Sequence, residues 1–120
     1  MKLTTLLLSL TATATATTTC YSGGPTSEGT SCISKLAIKD FWSLWYCNYR
    51  WNINYGDWDM WINNNESHVE RGRVAKTGTF NGMEECLDAF KELVEPCYDV
   101  AQGGYLTTAN VSLEANWCQW

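Results

Sequence analysis

Six cysteines, Cys20, Cys32, Cys47, Cys86, Cys97 and Cys118, all lie downstream of a short apolar leader. Lys2 supplies a positive charge, residues 3–10 form an apolar run interrupted by Thr4, Thr5 and Ser9, and Ala14-Thr15-Ala16 fits a small-residue cleavage site. This pattern reads as a secretory signal peptide over residues 1–16, and the run is too short to span a bilayer. Cysteines in even number on a small exported chain pair with one another rather than react. The expected product is a secreted, extracellular, cysteine-rich single domain over residues 17–120, stapled by three disulfides that each contribute about 2–4 kcal/mol.

The formal net charge is −5, and loss of Lys2 makes it more negative. Such a chain does not coat phosphate backbones, so nucleic acid is not expected as a partner. No second apolar span follows the leader, so no membrane anchor is expected either. The product is read as a monomer without a cofactor. Two sequons, Asn65-Glu66-Ser67 and Asn110-Val111-Ser112, suit a secreted eukaryotic glycoprotein. Asn110 sits at an expected strand start, which makes Asn65, in its polar turn, the better acceptor.

From Ser34, a candidate N-cap, a helical period places Ala37, Ile38, Phe41, Leu44 and Trp45 on one face, predicting a helix over 34–46. The period then changes to two. Tyr49, Trp51, Ile53 and Tyr55 alternate with Asn48, Arg50, Asn52 and Asn54, predicting a strand with one buried face. Residues 58–62 continue that ribbon, Asn63-Asn64-Asn65 makes a turn, and 67–75, with His68, Glu70, Arg71 and Arg73, reads as a solvent-facing or edge strand. Asn81 and Glu84 resemble a capping box with Phe80 as staple. Met83, Cys86, Leu87, Phe90, Leu93, Val94 and Cys97 then form the stripe of a helix over 82–95 that Pro96 closes. Gly103-Gly104 turns the chain into a final strand, where Val111, Leu113, Ala115 and Trp117 alternate with polar residues.

With a short strand at Cys20-Tyr21, the fold class expected is α+β: a split βαβ (ferredoxin-like) α/β sandwich. Two antiparallel helices lie on one face of a four-stranded antiparallel sheet of order 4-1-3-2. Cys47 ends one helix and Cys86 opens the other, so Cys47–Cys86 is the expected bridge. For the rest, Cys20–Cys97 with Cys32–Cys118 and Cys32–Cys97 with Cys20–Cys118 both stay open.

The opening Cys20-Tyr21-Ser22-Gly23-Gly24 and the helix Leu36-Ala37-Ile38-Lys39-Asp40-Phe41 running to Cys47 resemble the killer-toxin-like small secreted fungal proteins. Gly82-Met83-Glu84-Glu85-Cys86, Leu93-Val94, Cys97, Gly103-Gly104 and the strand closed by Cys118 extend the resemblance. That group includes virus-encoded killer toxins and plant-pathogen effectors. The resemblance implies an α/β sandwich and a non-enzymatic virulence or toxin role. The chain departs from the toxins in its six cysteines and acidic balance, which favours an effector over a cationic channel blocker.

Catalytic residues are not expected. His68 is the only histidine, which excludes any paired-histidine site, and cysteines committed to bridges leave neither a thiol nucleophile nor a zinc site. Asp57, Asp59 and residues 63–66 lack the twelve-residue calcium-loop spacing, so no metal is expected. Nine of the 21 residues from 41 to 61 are aromatic. Most are assigned to packing: Phe41 and Trp45 on the helix, Tyr49, Trp51 and Tyr55 on the strand. Trp58, Trp61 and Trp120 fit a core least well and form the candidate binding surface. Two functions follow: a secreted effector or killer-toxin-like protein binding a host or competitor target, or a lectin-like module that binds cell-wall glycan through exposed tryptophans. A hydrolase working with two carboxylates is the third reading.

Overall fold

A computed structural model describes residues 16–24, 31–64 and 69–118. The leader, apart from Ala16, lies outside them, as do Asn65, His68 and Trp120. Five strands form one antiparallel sheet: β1 (Thr17–Cys20), β2 (Asp59–Asn64), β3 (Val69–Gly78), β4 (Gly103–Thr107) and β5 (Val111–Asn116). Their order is β1-β4-β5-β3-β2. The helices are α1 (Lys35–Ala37), a π-helical turn (Ile38–Trp42) and α2 (Ser43–Arg50), which follow one another without a break, and α3 (Met83–Cys97).

This corrects the four-stranded sheet of order 4-1-3-2. The extra strand is β4, whose first residues, Gly103 and Gly104, read as a turn. Both are glycine because the sheet surface is crowded there. A Cβ on Gly103 would come within 2.5 Å of the Tyr21 ring. The split βαβ survives in one half: β3 and β4 are each antiparallel to the β5 between them, and α3 joins them. The α+β class and the helix count stand, and β1 lies at the edge beyond β4 rather than beside β3.

The strand expected over 49–55 is a helix end and a loop. Trp51 N–H still donates to Cys47 O at 3.1 Å, so Tyr49 and Arg50 belong to α2. The loop that follows is held by the end of β3 without ladder pairing. Lys76 Nζ donates to Ile53 O at 2.6 Å and to Gly78 O at 2.5 Å, and Gly78 N–H donates to Asn54 Oδ1 at 2.8 Å. The alternating aromatics are therefore not a pleat.

β3 is also not an edge strand, since it lies between β5 and β2. Its residues alternate, and the inward set includes two charges: Glu70 is 3 % exposed and Lys76 1 %. Both have partners, as buried charges must. Glu70 Oε1 accepts the Ser34 N–H at 3.0 Å, placing a carboxylate at the start of α1, while Ser34 Oγ caps Ala37 N–H at 3.2 Å.

The helices run antiparallel on the inner face. Cys47 near the end of α2 is bonded to Cys86 at the start of α3, while Lys35 of α1 and Lys39 of the π-helical turn pair with Glu95 at the end of α3. The bonds to Lys39 and then Lys35 hold the exposed Glu95 carboxyl below the usual carboxylate range. Pro96 lies one residue inside α3 rather than closing it. It has no N–H for the Glu92 carbonyl, and Thr18 of β1 donates its hydroxyl to that oxygen at 3.3 Å. Gly82 is the N-cap of α3, and Glu85 rather than Glu84 reaches back, to the Asn81 N–H at 3.3 Å. The remaining disulfides are Cys20–Cys97 and Cys32–Cys118, which resolves the two alternatives.

Candidate functional site

The site begins with the π-helical turn. Ser43 N–H donates to Ile38 O, five residues back, and its hydroxyl bonds Lys39 O at 2.6 Å, the carbonyl an α-helix would have given to the Ser43 N–H. The extra residue delays the inward stripe. Ile38, Trp42 and Tyr46 are fully buried, whereas Phe41 is 60 % exposed, Leu44 50 % and Trp45 40 %. Phe41 and Trp45, assigned to the core by a period of 3.6, are thus turned outward.

Trp45 and Tyr49 stand one turn apart on α2, ring centroids 6.1 Å apart and tilted edge to face. Trp61 of β2 supports Trp45 from behind at 6.0 Å. With Tyr46, Arg50 and Ile53 these two rings line a concavity of about 360 Å³. Arg50 is fixed at its base. Nε and Nη2 donate to the two oxygens of Asp59 at 2.9 and 3.1 Å, and the guanidinium lies 3.8 Å above the Tyr55 ring. A bidentate pair fixes a guanidinium more firmly than a single bond does. The Asp59 bond raises the Arg50 pKa further, so the wall keeps a permanent cation.

Behind this wall, Trp42 Nε1, Tyr46 Oη and Trp61 Nε1 have no acceptor among the described residues. At the other end of the core the ring donors are satisfied: Tyr98 Oη bonds Ile33 O at 2.8 Å and Trp117 Nε1 bonds Ala101 O at 3.2 Å. Unpartnered buried donors are costly and uncommon in folded proteins.

Burial, and then the Asp59 charge, raises the Tyr46 pKa well above its ordinary 10.0; burial and the Glu114 hydrogen bond do the same for Tyr21. Groups with raised folded pKa values contribute stability that is complete below pH 10.0 and falls as pH rises beyond it. Burial, then Arg50, lowers the Lys76 pKa and acts in the opposite sense below 10.5, so the tyrosine effect is read above that value. Urea unfolding between pH 10.5 and 11.5 is expected to show stability falling with pH. Tyr46→Phe should remove a slope of up to about 1.4 kcal/mol per pH unit. An unchanged slope in that variant would contradict the burial of this phenol.

The expected surface of Trp58, Trp61 and Trp120 is not one surface. Trp58 and Trp61 are three residues apart on an extended chain, so they face opposite sides of the sheet. Trp61 meets Trp42 and Trp45 on the helix side, and Trp58 lies beneath the Arg73 guanidinium, 4.4 Å away. Trp120 lies outside the described residues. Asn110, expected at a strand start, is exposed in the β4–β5 turn. Sequence reasoning missed Trp45 and Tyr49 as a surface, and no motif in the chain announces the π-helical turn that exposes them.

These features define a disulfide-stapled α+β protein with an aromatic-walled concavity and a fixed arginine–carboxylate pair, the equipment of a small binding protein. A family described as alpha-galactosyl binding lectin matches residues 42–120, from the last residue of the π-helical turn through α2, α3 and β2 to β5, and the chain belongs to that family. No curated protein matches it.

Proposed function

We propose that this protein is a secreted, non-enzymatic lectin that binds α-galactosyl-terminated glycans in the concavity between Trp45, Tyr49 and Arg50. The observation that carries this reading is the pairing of outward Trp45 and Tyr49 with the Arg50–Asp59 couple, inside the segment that matches the lectin family. A galactosyl ring has an apolar face of C–H groups and a rim of hydroxyls. The first stacks on an indole or phenol ring, and the second requires fixed polar groups such as this guanidinium and carboxylate. Such sites work best when their polar groups are held before the ligand arrives, as the bidentate bond holds Arg50.

Three disulfides suit an oxidising compartment, and no helix among the described residues is long and apolar enough to cross a membrane. Export of the chain rests on the leader pattern. An effector or killer-toxin role is a proposal about what glycan binding achieves for the producing organism, and the family supports binding as such.

A glycan array followed by titration tests the reading. Binding is expected to α-galactosyl termini over β-galactosyl ones, with Trp45→Ala weakening it at least tenfold, about 1.4 kcal/mol. Circular dichroism should stay unchanged, because Trp45 is partly exposed. Equal binding by wild type and Trp45→Ala would remove the assignment to this concavity.

A further inference from the structure

We propose that the opposite face of the sheet carries a second saccharide subsite, between Trp58 and Glu114, which makes a single chain bivalent. The helices cover only the inner face. On the outer face the cross-strand register places Ala75 opposite Glu114 and Thr77 opposite Ser112. With Gly56, Trp58 and Lys76 these four line a depression of about 220 Å³. Its depth comes from what is missing on the chain: Ala75 supplies only a methyl group to the floor, and Gly56 at the rim has no side chain.

The polar groups here are placed, not loose. Tyr21 lies over Gly103 and donates its hydroxyl to Glu114 Oε2. Burial and the Glu114 bond keep that phenol protonated, hence a donor. The carboxylate is fixed by one oxygen and keeps Oε1 for a ligand. Arg73 packs its guanidinium on the Trp58 ring and holds the indole at the edge of the depression. Glu114 gives the depression a hydrogen-bond acceptor and Thr77 and Ser112 add hydroxyls, a lining that suits a polyol. Vicinal hydroxyls can donate to Glu114 and accept from the Thr77 and Ser112 hydroxyls while a C–H face rests against the indole. The volume is below the roughly 300 Å³ of sites for drug-sized molecules, so one sugar ring fits and a longer chain does not.

The subsite shares with the proposed function the premise that the ligand is a sugar, but it uses none of the residues around Trp45. Two sites on opposite faces allow one chain to cross-link glycans without dimerising.

Titration of the 15N-labelled protein with methyl α-galactopyranoside separates these statements. Two groups of amide shifts are expected, one around Trp45 and Tyr49 and one around Trp58, Ala75 and Glu114. Glu114→Gln should weaken the second group at least tenfold and leave the first unchanged, and Trp45→Ala should do the reverse. Cross-linking of galactosylated beads should be lost in either variant. Shifts confined to the Trp45 region would overturn the second subsite alone. Shifts confined to the Trp58 region would keep it and overturn the assignment to Trp45. No shift anywhere would overturn both.

Discussion

Reduction of the three disulfides is expected to unfold the protein in water at 25 °C. The bridges close chain separations of 77, 86 and 39 residues. In the chain-entropy description each such loop contributes about 4–5 kcal/mol by restricting the unfolded ensemble. A domain of this size has roughly 5–15 kcal/mol in total, so losing all three leaves nothing, even allowing for overlap between nested loops. Two of the bridges also fasten segments at the ends of the fold. Cys20–Cys97 fastens β1, a four-residue edge strand, to the end of α3. Cys32–Cys118 joins the segment entering α1 to the chain after β5, where Ile33 N–H also donates to Trp117 O at 2.6 Å. Trp42, Tyr46 and Trp117 are fully buried in the oxidised form, so unfolding should appear as a red shift of tryptophan emission with loss of near-ultraviolet dichroism. A reduced, alkylated sample that still unfolds cooperatively, within about 2 kcal/mol of the oxidised protein, would contradict this.

What could be read from the chain follows from which interactions are local. Cys47–Cys86 was legible because two helices of opposite direction bring the end of one to the start of the other. α3 was legible because its apolar residues keep one period from Met83 to Cys97. Ser34 capped where a serine before an apolar stripe should cap. The misses have a common cause in long-range contacts. Gly103 and Gly104 carry the signal of a turn, and the Tyr21 ring with the backbones of β1 and β5 makes glycine a requirement of strand packing there. Lys76 and Glu70 look like surface residues until their partners, the Ile53 and Gly78 carbonyls and the Ser34 amide, are in place. Residues 49–55 alternate as a strand would, yet the end of β3 takes up their polar groups through Lys76 and Gly78. The site suffered most. Its position depends on a one-residue shift of register inside a helix, and composition does not encode a π-helical turn.

That shift makes the sharpest single-residue contrast available. Trp42→Ala is expected to destabilise the protein by about 3–5 kcal/mol, the range for deleting a buried large aromatic, whereas Phe41→Ala next to it should cost no more than about 0.5 kcal/mol. Trp42 is fully buried, with Phe90 of α3 at 6.1 Å and Trp61 of β2 at 6.4 Å, so its loss opens a cavity where helix, helix and sheet meet. Phe41 is mostly in solvent. Trp42→Phe refines the test, because it keeps a ring in place and discards an indole N–H that has no acceptor among the described residues. Its cost should be well below that of Trp42→Ala, since the lost packing is partly offset by relief of an unpaired buried donor. Urea midpoints at constant m-value report all three. If Phe41→Ala proved as costly as Trp42→Ala, the helix would have the ordinary 3.6-residue register. Trp45 would then belong to the core with Phe41, and the aromatic wall proposed to hold the sugar would not exist. The stability of two neighbouring alanine variants therefore decides whether the binding surface is there, before any glycan is added.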